Sequence, residues 1–167
     1  PPERLWLAFG GNAMTELDWL DWAQRHADPG AAFLLVDYPG YGFNFGAPSR
    51  ARIVENTPAA FAALAAKLGL STEALAARTH LLGHSLGAAA ALEFAVAHRP
   101  RGIVLTAPFT SMAEIAAHHY GSWVVPALTE RWDNAARLAE LGAGASVSLL
   151  AAQPPPVVVL HGEADEI

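Results

Sequence analysis

Ser85 lies between two glycines in the run Gly83-His84-Ser85-Leu86-Gly87, a spacing that suits a serine attacking a carbonyl carbon. A sharp strand-to-helix turn would hold this serine in strained geometry. A side chain at either glycine position would meet neighbouring backbone. The hydroxyl would stand at a helix N-terminus, where outward-pointing N–H groups favour developing negative charge. That arrangement suits acyl transfer. The competing reading of the same five residues is a glycine-lined turn that closes an ordinary strand–helix unit.

The flanking sequence supplies both elements. Thr79-His80-Leu81-Leu82 reads as a short apolar strand, and Ala88 to His98 as a strong helix former ended by Arg99-Pro100. Upstream, the apolar run Arg4 to Phe9 predicts a buried strand closed by Gly10-Gly11-Asn12. Thr15 can cap a helix, with Glu16 and Asp18 in its first turn. Ala31 to Val36 is the next strand. A long glycine and aromatic loop, Asp37 to Pro48, follows it, and Ser49 caps a helix expected to reach Leu68 with a kink or restart at Thr57-Pro58. Ser71 opens a short helix to Ala77, and Arg101 to Thr106 is a strand broken by Ala107-Pro108. The segment Met112 to Leu141 reads as helical in pieces, interrupted at Gly121 and Pro126. Gly142 to Pro156 reads as a loop, and Val157 to Leu160 as a last strand followed by His161-Gly162-Glu163-Ala164-Asp165.

Strands alternating with helices predict an α/β fold: a mostly parallel sheet with helices on both faces. In such sheets functional loops gather beyond the carboxyl ends of the strands. Gly11-Asn12, the aromatic loop, Ser85, Pro108-Phe109 and Asp165 should therefore converge at one edge.

Composition narrows the function classes. The 167 residues fit one domain spanning 1–167, and 53% hydrophobic content is ample for a core. The formal net charge of −6 comes from scattered acids, and the ten Lys and Arg form no run or stripe, which disfavours nucleic-acid binding. No stretch approaches the length of a membrane span, and the first residues lack the charged and apolar regions of a signal peptide. The absence of cysteine excludes disulfides, a thiol nucleophile and thiolate metal sites. Histidine spacing offers no metal site, and no cofactor is implied.

Four segments together resemble the α/β-hydrolase superfamily: Phe9-Gly10-Gly11-Asn12-Ala13; Asp37 to Gly42 with Gly46-Ala47-Pro48-Ser49; Gly83 to Gly87; and Pro156 to Asp165. Arg131-Trp132-Asp133-Asn134 is a fifth such segment. More narrowly, they resemble the branch of compact serine hydrolases related to the BEM46 and ABHD13/ABHD17-like proteins. The resemblance implies an α/β-hydrolase fold with a helical insert over 109–141, and a Ser, Asp, His triad in that chain order. Ser85 matches the nucleophile and Asp165 the acid that orients the histidine. The backbone N–H groups of Asn12 and Leu86 match the oxyanion hole.

The same resemblance implies a chain incomplete at both ends, with the family's first strands ahead of Pro1 and its catalytic histidine after a further helix and strand beyond Ile167. The expected activity is cleavage of small-molecule carboxylic esters or thioesters through an acyl-enzyme. One alternative is a non-catalytic or incomplete hydrolase-fold protein that binds a ligand or partner. Another is amide or peptide hydrolysis with the same machinery. An exposed strand edge would also favour a homo-oligomer.

Seven histidines are present, and none falls where the resemblance needs one. His84 and His161 are expected to brace their turns, and His26, His80 and His98 to lie at helix ends or the surface. His118 or His119 in the insert is a candidate substitute base. Asp133 is a rival acid whose plainer reading is a helix cap, and Asp37 is expected to tie down the aromatic loop. Tyr38, Tyr41, Phe43 and Phe45 either line an acyl pocket or pack that loop down.

Overall fold

A computed structural model describes residues 1–26, 29–143 and 153–162. Five strands form one sheet: β1 (Arg4–Phe9), β2 (Ala31–Leu35), β3 (Thr79–His84), β4 (Gly102–Thr106) and β5 (Val157–Leu160). The spatial order is β2-β1-β3-β4-β5, and every pairing is parallel. The register sets Phe9 beside Gly83, and His84 beside Thr106, so the strands end on a common edge.

Strand alternation divides the core between the two faces. Leu5, Leu7 and Phe9 are buried on the side of α4 (Leu86–His98), where the Phe9 and Phe94 rings lie 6.1 Å apart. Trp6 points the other way, 5.6 Å edge-on to Trp22 of α1 (Leu20–His26), and Trp22 meets Phe33 of β2 at 5.7 Å. Helices thus cover both faces, as the alternating sequence predicts. Ala88 to Ala91 and Leu92 of α4 are all buried, because small side chains let this helix lie close on the centre of the sheet. α2 (Arg50–Lys67) and α6 (Asn134–Ala143) flank it.

The local signals act as read. Ser49 accepts from Arg52 N at the start of α2, and Ser71 accepts from Ala74 N at the start of α3 (Thr72–Ala76). Thr15 precedes a 3₁₀ turn, Glu16–Trp19, with its backbone N–H donating to Asp18 Oδ2 at 2.7 Å. The segment after Phe109 is helical in pieces: α5 (Met112–Tyr120), a 3₁₀ turn (Ser122–Ala127) and α6.

Of the two expectations at Thr57-Pro58, a kink or a restart, the restart is absent: α2 is one helix from Arg50 to Lys67 with Pro58 inside it. Burial of Ile53, Phe61 and Ala65 on one face holds the helix together and outweighs the local penalty of one lost hydrogen bond. α6 also extends two residues past Leu141, into the stretch expected to be loop.

Candidate active site

The Gly83–Gly87 turn joins β3 to α4 with almost no room. A β-carbon at position 83 would stand 2.6 Å from the Gly87 carbonyl oxygen and 2.7 Å from the Ala88 α-carbon. Backbone so close admits only glycine. Ser85 occupies φ 52, ψ −114, outside the favoured regions for an L-residue, a conformation that costs about 1–3 kcal/mol and persists only when its surroundings enforce it. Ser85 N donates to the Thr106 carbonyl at 3.0 Å, and Ala88 N donates to the Ser85 carbonyl at 2.9 Å. The neighbouring strand and the first turn of α4 therefore grip the serine from both sides.

Ser85 and Leu86 line a pocket of about 360 Å³ together with Asn12 from the turn after β1. Pro48, Ser49, Arg50 and Ile53 line it together with Phe109, Met112, Ile115, Glu130 and Trp132. The lining is mostly apolar with a charged end. There the Arg50 guanidinium lies 5.6 Å over the Trp132 ring, and Glu130 accepts from Arg50 N at 2.7 Å. Glu93 anchors that end from behind: its Oε1 accepts from Arg50 Nε at 3.1 Å, from Arg50 Nη2, and from Arg137 Nε at 3.2 Å.

Asn12 is held from outside the pocket. Tyr41 donates its hydroxyl to Asn12 Oδ1 at 2.8 Å, and Tyr38 donates to the Gly10 carbonyl at 3.0 Å. Tyr38 is 3% exposed, and burial pushes its phenol well above the usual range, so it stays a protonated donor. Asp37 ties down the loop as expected, its carbonyl accepting from Asn44 Nδ2 at 2.9 Å and its Oδ1 from Glu16 N at 3.0 Å. The Asp37 side chain beside Glu16 also holds the Glu16 carboxyl above its ordinary value. Phe43 and Phe45 do neither of the things expected of them: at 88% and 93% exposed they neither line the pocket nor pack the loop. The turns at 38–44 direct them outward.

Of the residues singled out from sequence, the structure brings Ser85, Leu86 and Asn12 to one pocket; Asp165 lies outside the described residues. No histidine lines this pocket among the described residues. His84 Nδ1 bonds the Thr106 hydroxyl at 3.0 Å, and His98 stacks on Phe94 at 4.3 Å. His118 and His119, on α5, are not among the lining residues, and His161 is exposed after β5. Asp133 takes the plainer of its two roles, its Oδ1 accepting from Ala136 N at 2.8 Å at the start of α6. Sequence reasoning missed Arg50, Ile53, Met112, Ile115 and Glu130. The charged pair has no motif spacing, and the apolar residues look like ordinary helix-face positions.

Comparison with known proteins places these features in a family. A family described as "Serine aminopeptidase, S33" matches residues 7–140. Two proteins of Mycobacterium tuberculosis, "Uncharacterized protein Rv2307c" and "Uncharacterized protein MT2364", are each 36% identical over 138 residues, covering 83% of this chain. The chain spans 44% of the length of those relatives. Among solved structures, the monoacylglycerol lipase of Paleococcus ferrophilus is similar over 96% of this chain and 86% of its own, with TM-score 0.57 at 14% identity. A proline iminopeptidase-related protein of Thermus thermophilus is similar over 69% of this chain and 40% of its own, with TM-score 0.52 at 24% identity. At such identities the likeness concerns the fold, and that fold is the α/β-hydrolase sheet described above. The chain belongs to the serine aminopeptidase S33 family of the α/β-hydrolase superfamily.

Proposed function

We propose that this chain carries the nucleophile and oxyanion site of a serine hydrolase that cleaves carboxylic esters or thioesters. The observation that carries this reading is Ser85 at φ 52, in a turn where only glycine fits at 83, opening into an apolar pocket shared with Asn12 and Leu86. Ser85 Oγ attacks the carbonyl carbon while a histidine takes its proton. The tetrahedral oxygen accepts from the N–H groups of Asn12 and Leu86, and loss of one such donor typically costs about 10²–10³ in rate. Collapse expels the alcohol or thiol, which takes the proton from the histidine, and water then cleaves the acyl-enzyme by the same route. Asp165 orients the histidine and stabilises its cation. None of the described histidines lines the pocket, and this reading assigns the base to none of them.

A second reading, amide or peptide hydrolysis by the same machinery, is favoured by the family's description as a serine aminopeptidase. Labelling of the full-length protein with a fluorophosphonate, with Ser85→Ala as control, tests the nucleophile. Turnover of p-nitrophenyl esters, acyl thioesters and amino-acid anilides by the same sample then separates the two reactions. A folded full-length protein that is not labelled is a ligand-binding member of the fold, and the enzymatic reading is lost.

A further inference from the structure

We propose that Tyr41 is a positioning residue, fixing the oxyanion-binding turn through the hydrogen bond that its hydroxyl donates to the Asn12 side chain. This rests on the serine-hydrolase reading, in which the Asn12 N–H receives the developing charge.

The turn after β1 needs such a support. Ala13 sits at φ 63, a left-handed conformation that a residue with a β-carbon seldom adopts. Inside the turn Met14 N donates to the Gly11 carbonyl at 3.2 Å, and Gly11 N meets Met14 Sδ at 3.2 Å, neither of them a strong bond. The aromatic loop supplies better ones, at 3.0 Å from Tyr38 to Gly10 and at 2.8 Å from Tyr41 to Asn12. That loop is itself stiff. Tyr41 N donates to the Tyr38 carbonyl and Asn44 N to the Tyr41 carbonyl, each at 2.9 Å, while the two tyrosine rings meet edge-on at 5.6 Å. The Tyr41 hydroxyl thus ends a rigid lever that starts at β2 and presses on a residue that shares the pocket with Ser85. Tyr41 does not line the pocket, so its influence on chemistry passes through Asn12. An oxyanion donor works only when held about 2.7–3.1 Å from the developing charge, so a small rotation of Asn12 is felt in the transition state more than in the bound substrate.

The test uses the full-length protein, p-nitrophenyl butyrate and a fluorophosphonate. Tyr41→Phe removes one hydroxyl and should lower kcat roughly three- to tenfold with KM within about twofold of the parent, and slow Ser85 labelling by a similar factor. Asn12→Ala keeps the backbone N–H but removes the acceptor and should give a comparable loss. The double variant should lose no more than the worse single variant, because both remove one interaction. Parent protein that is not labelled overturns the serine-hydrolase reading and this inference with it. Labelled parent with an unchanged Tyr41→Phe, losses that multiply in the double variant, or a rise in KM at constant kcat each overturn the brace alone. Should Tyr41→Phe fail to fold, Asn12→Ala decides: an unchanged kcat there overturns the brace.

Discussion

Gly87 lies directly against the carbonyl of Phe9: a β-carbon at 87 would stand 2.1 Å from that oxygen and 2.6 Å from the carbonyl oxygen of Gly10. Both neighbours are backbone, so neither can swing aside. Gly87→Ala must push α4 away from the end of β1, and should destabilise the fold by about 1–3 kcal/mol or more in a denaturant titration. Because this contact sets the Asn12 turn beside Ser85, surviving folded protein should label with fluorophosphonate more slowly than the parent.

Asp133 and Asp165 should respond in opposite ways. Asp133→Ala removes the cap on Ala136 N and should cost about 1 kcal/mol of stability while leaving kcat within about twofold of the parent. Asp165→Asn should leave the melting temperature nearly unchanged and lower kcat by about 10⁴ if it orients the histidine. A large kcat loss in the Asp133 variant would transfer the acid's role to it.

Glu93 joins two arginines behind the pocket, with its own side chain 12% exposed and theirs 35% and 32%. Glu93→Gln leaves two positive groups facing a neutral amide. Partial solvent access to the arginines reduces the cost below that of a fully buried pair, to about 2 kcal/mol by thermal melting. Arg50 also stacks on Trp132 in the pocket wall, so KM should rise along with the loss of stability.

His98 predicts a pH dependence. Burial against Phe94 and Phe61 pushes its pKa below the ordinary 6.5, only partly opposed by Glu73. Between the depressed folded value and 6.5 the unfolded chain binds the extra proton, so this contribution is complete above pH 6.5 and is lost as pH falls through the folded value. His80, depressed chiefly by burial as well, adds in the same direction. The melting temperature should drop as pH falls below about 6.5, and His98→Phe, which keeps an aromatic ring there and cannot titrate, should make that drop smaller.

The strands, the tight turn around Ser85 and the helix caps were legible because each is specified by residues adjacent in sequence. Leu5, Leu7 and Phe9 announce a strand locally, and Gly83 and Gly87 announce a turn locally. Pro58 is ambiguous for the same reason: as a local signal it kinks or restarts a helix, and burial of Phe61 and Ala65 against distant residues keeps α2 whole. The pocket wall was illegible because it depends on where the pieces after Phe109 fold back. Met112 and Ile115 join Ile53 in the pocket lining only once α5 is placed, and nothing in their own sequence neighbourhood fixes that placement. Tyr41 stood in between. Its glycine and aromatic loop stands out locally, but its partner, Asn12, lies back across α1 and β2.

The order of the strands also dictates when the pocket comes into being. β1 lies between β2 and β3, with Leu5 paired to Ala32 on one side and to Thr79 on the other. During synthesis β1 and β2 leave the ribosome before β3 and can pair, together with the tyrosine loop and the Asn12 turn. Ser85 arrives only when β3 inserts on the far edge of β1, a closure across β2, α2 and α3. Contacts so far apart in sequence repay their loop entropy late. Half of the pocket therefore waits for the other, and Ser85 reaches its place beside Asn12 only as β3 joins the sheet.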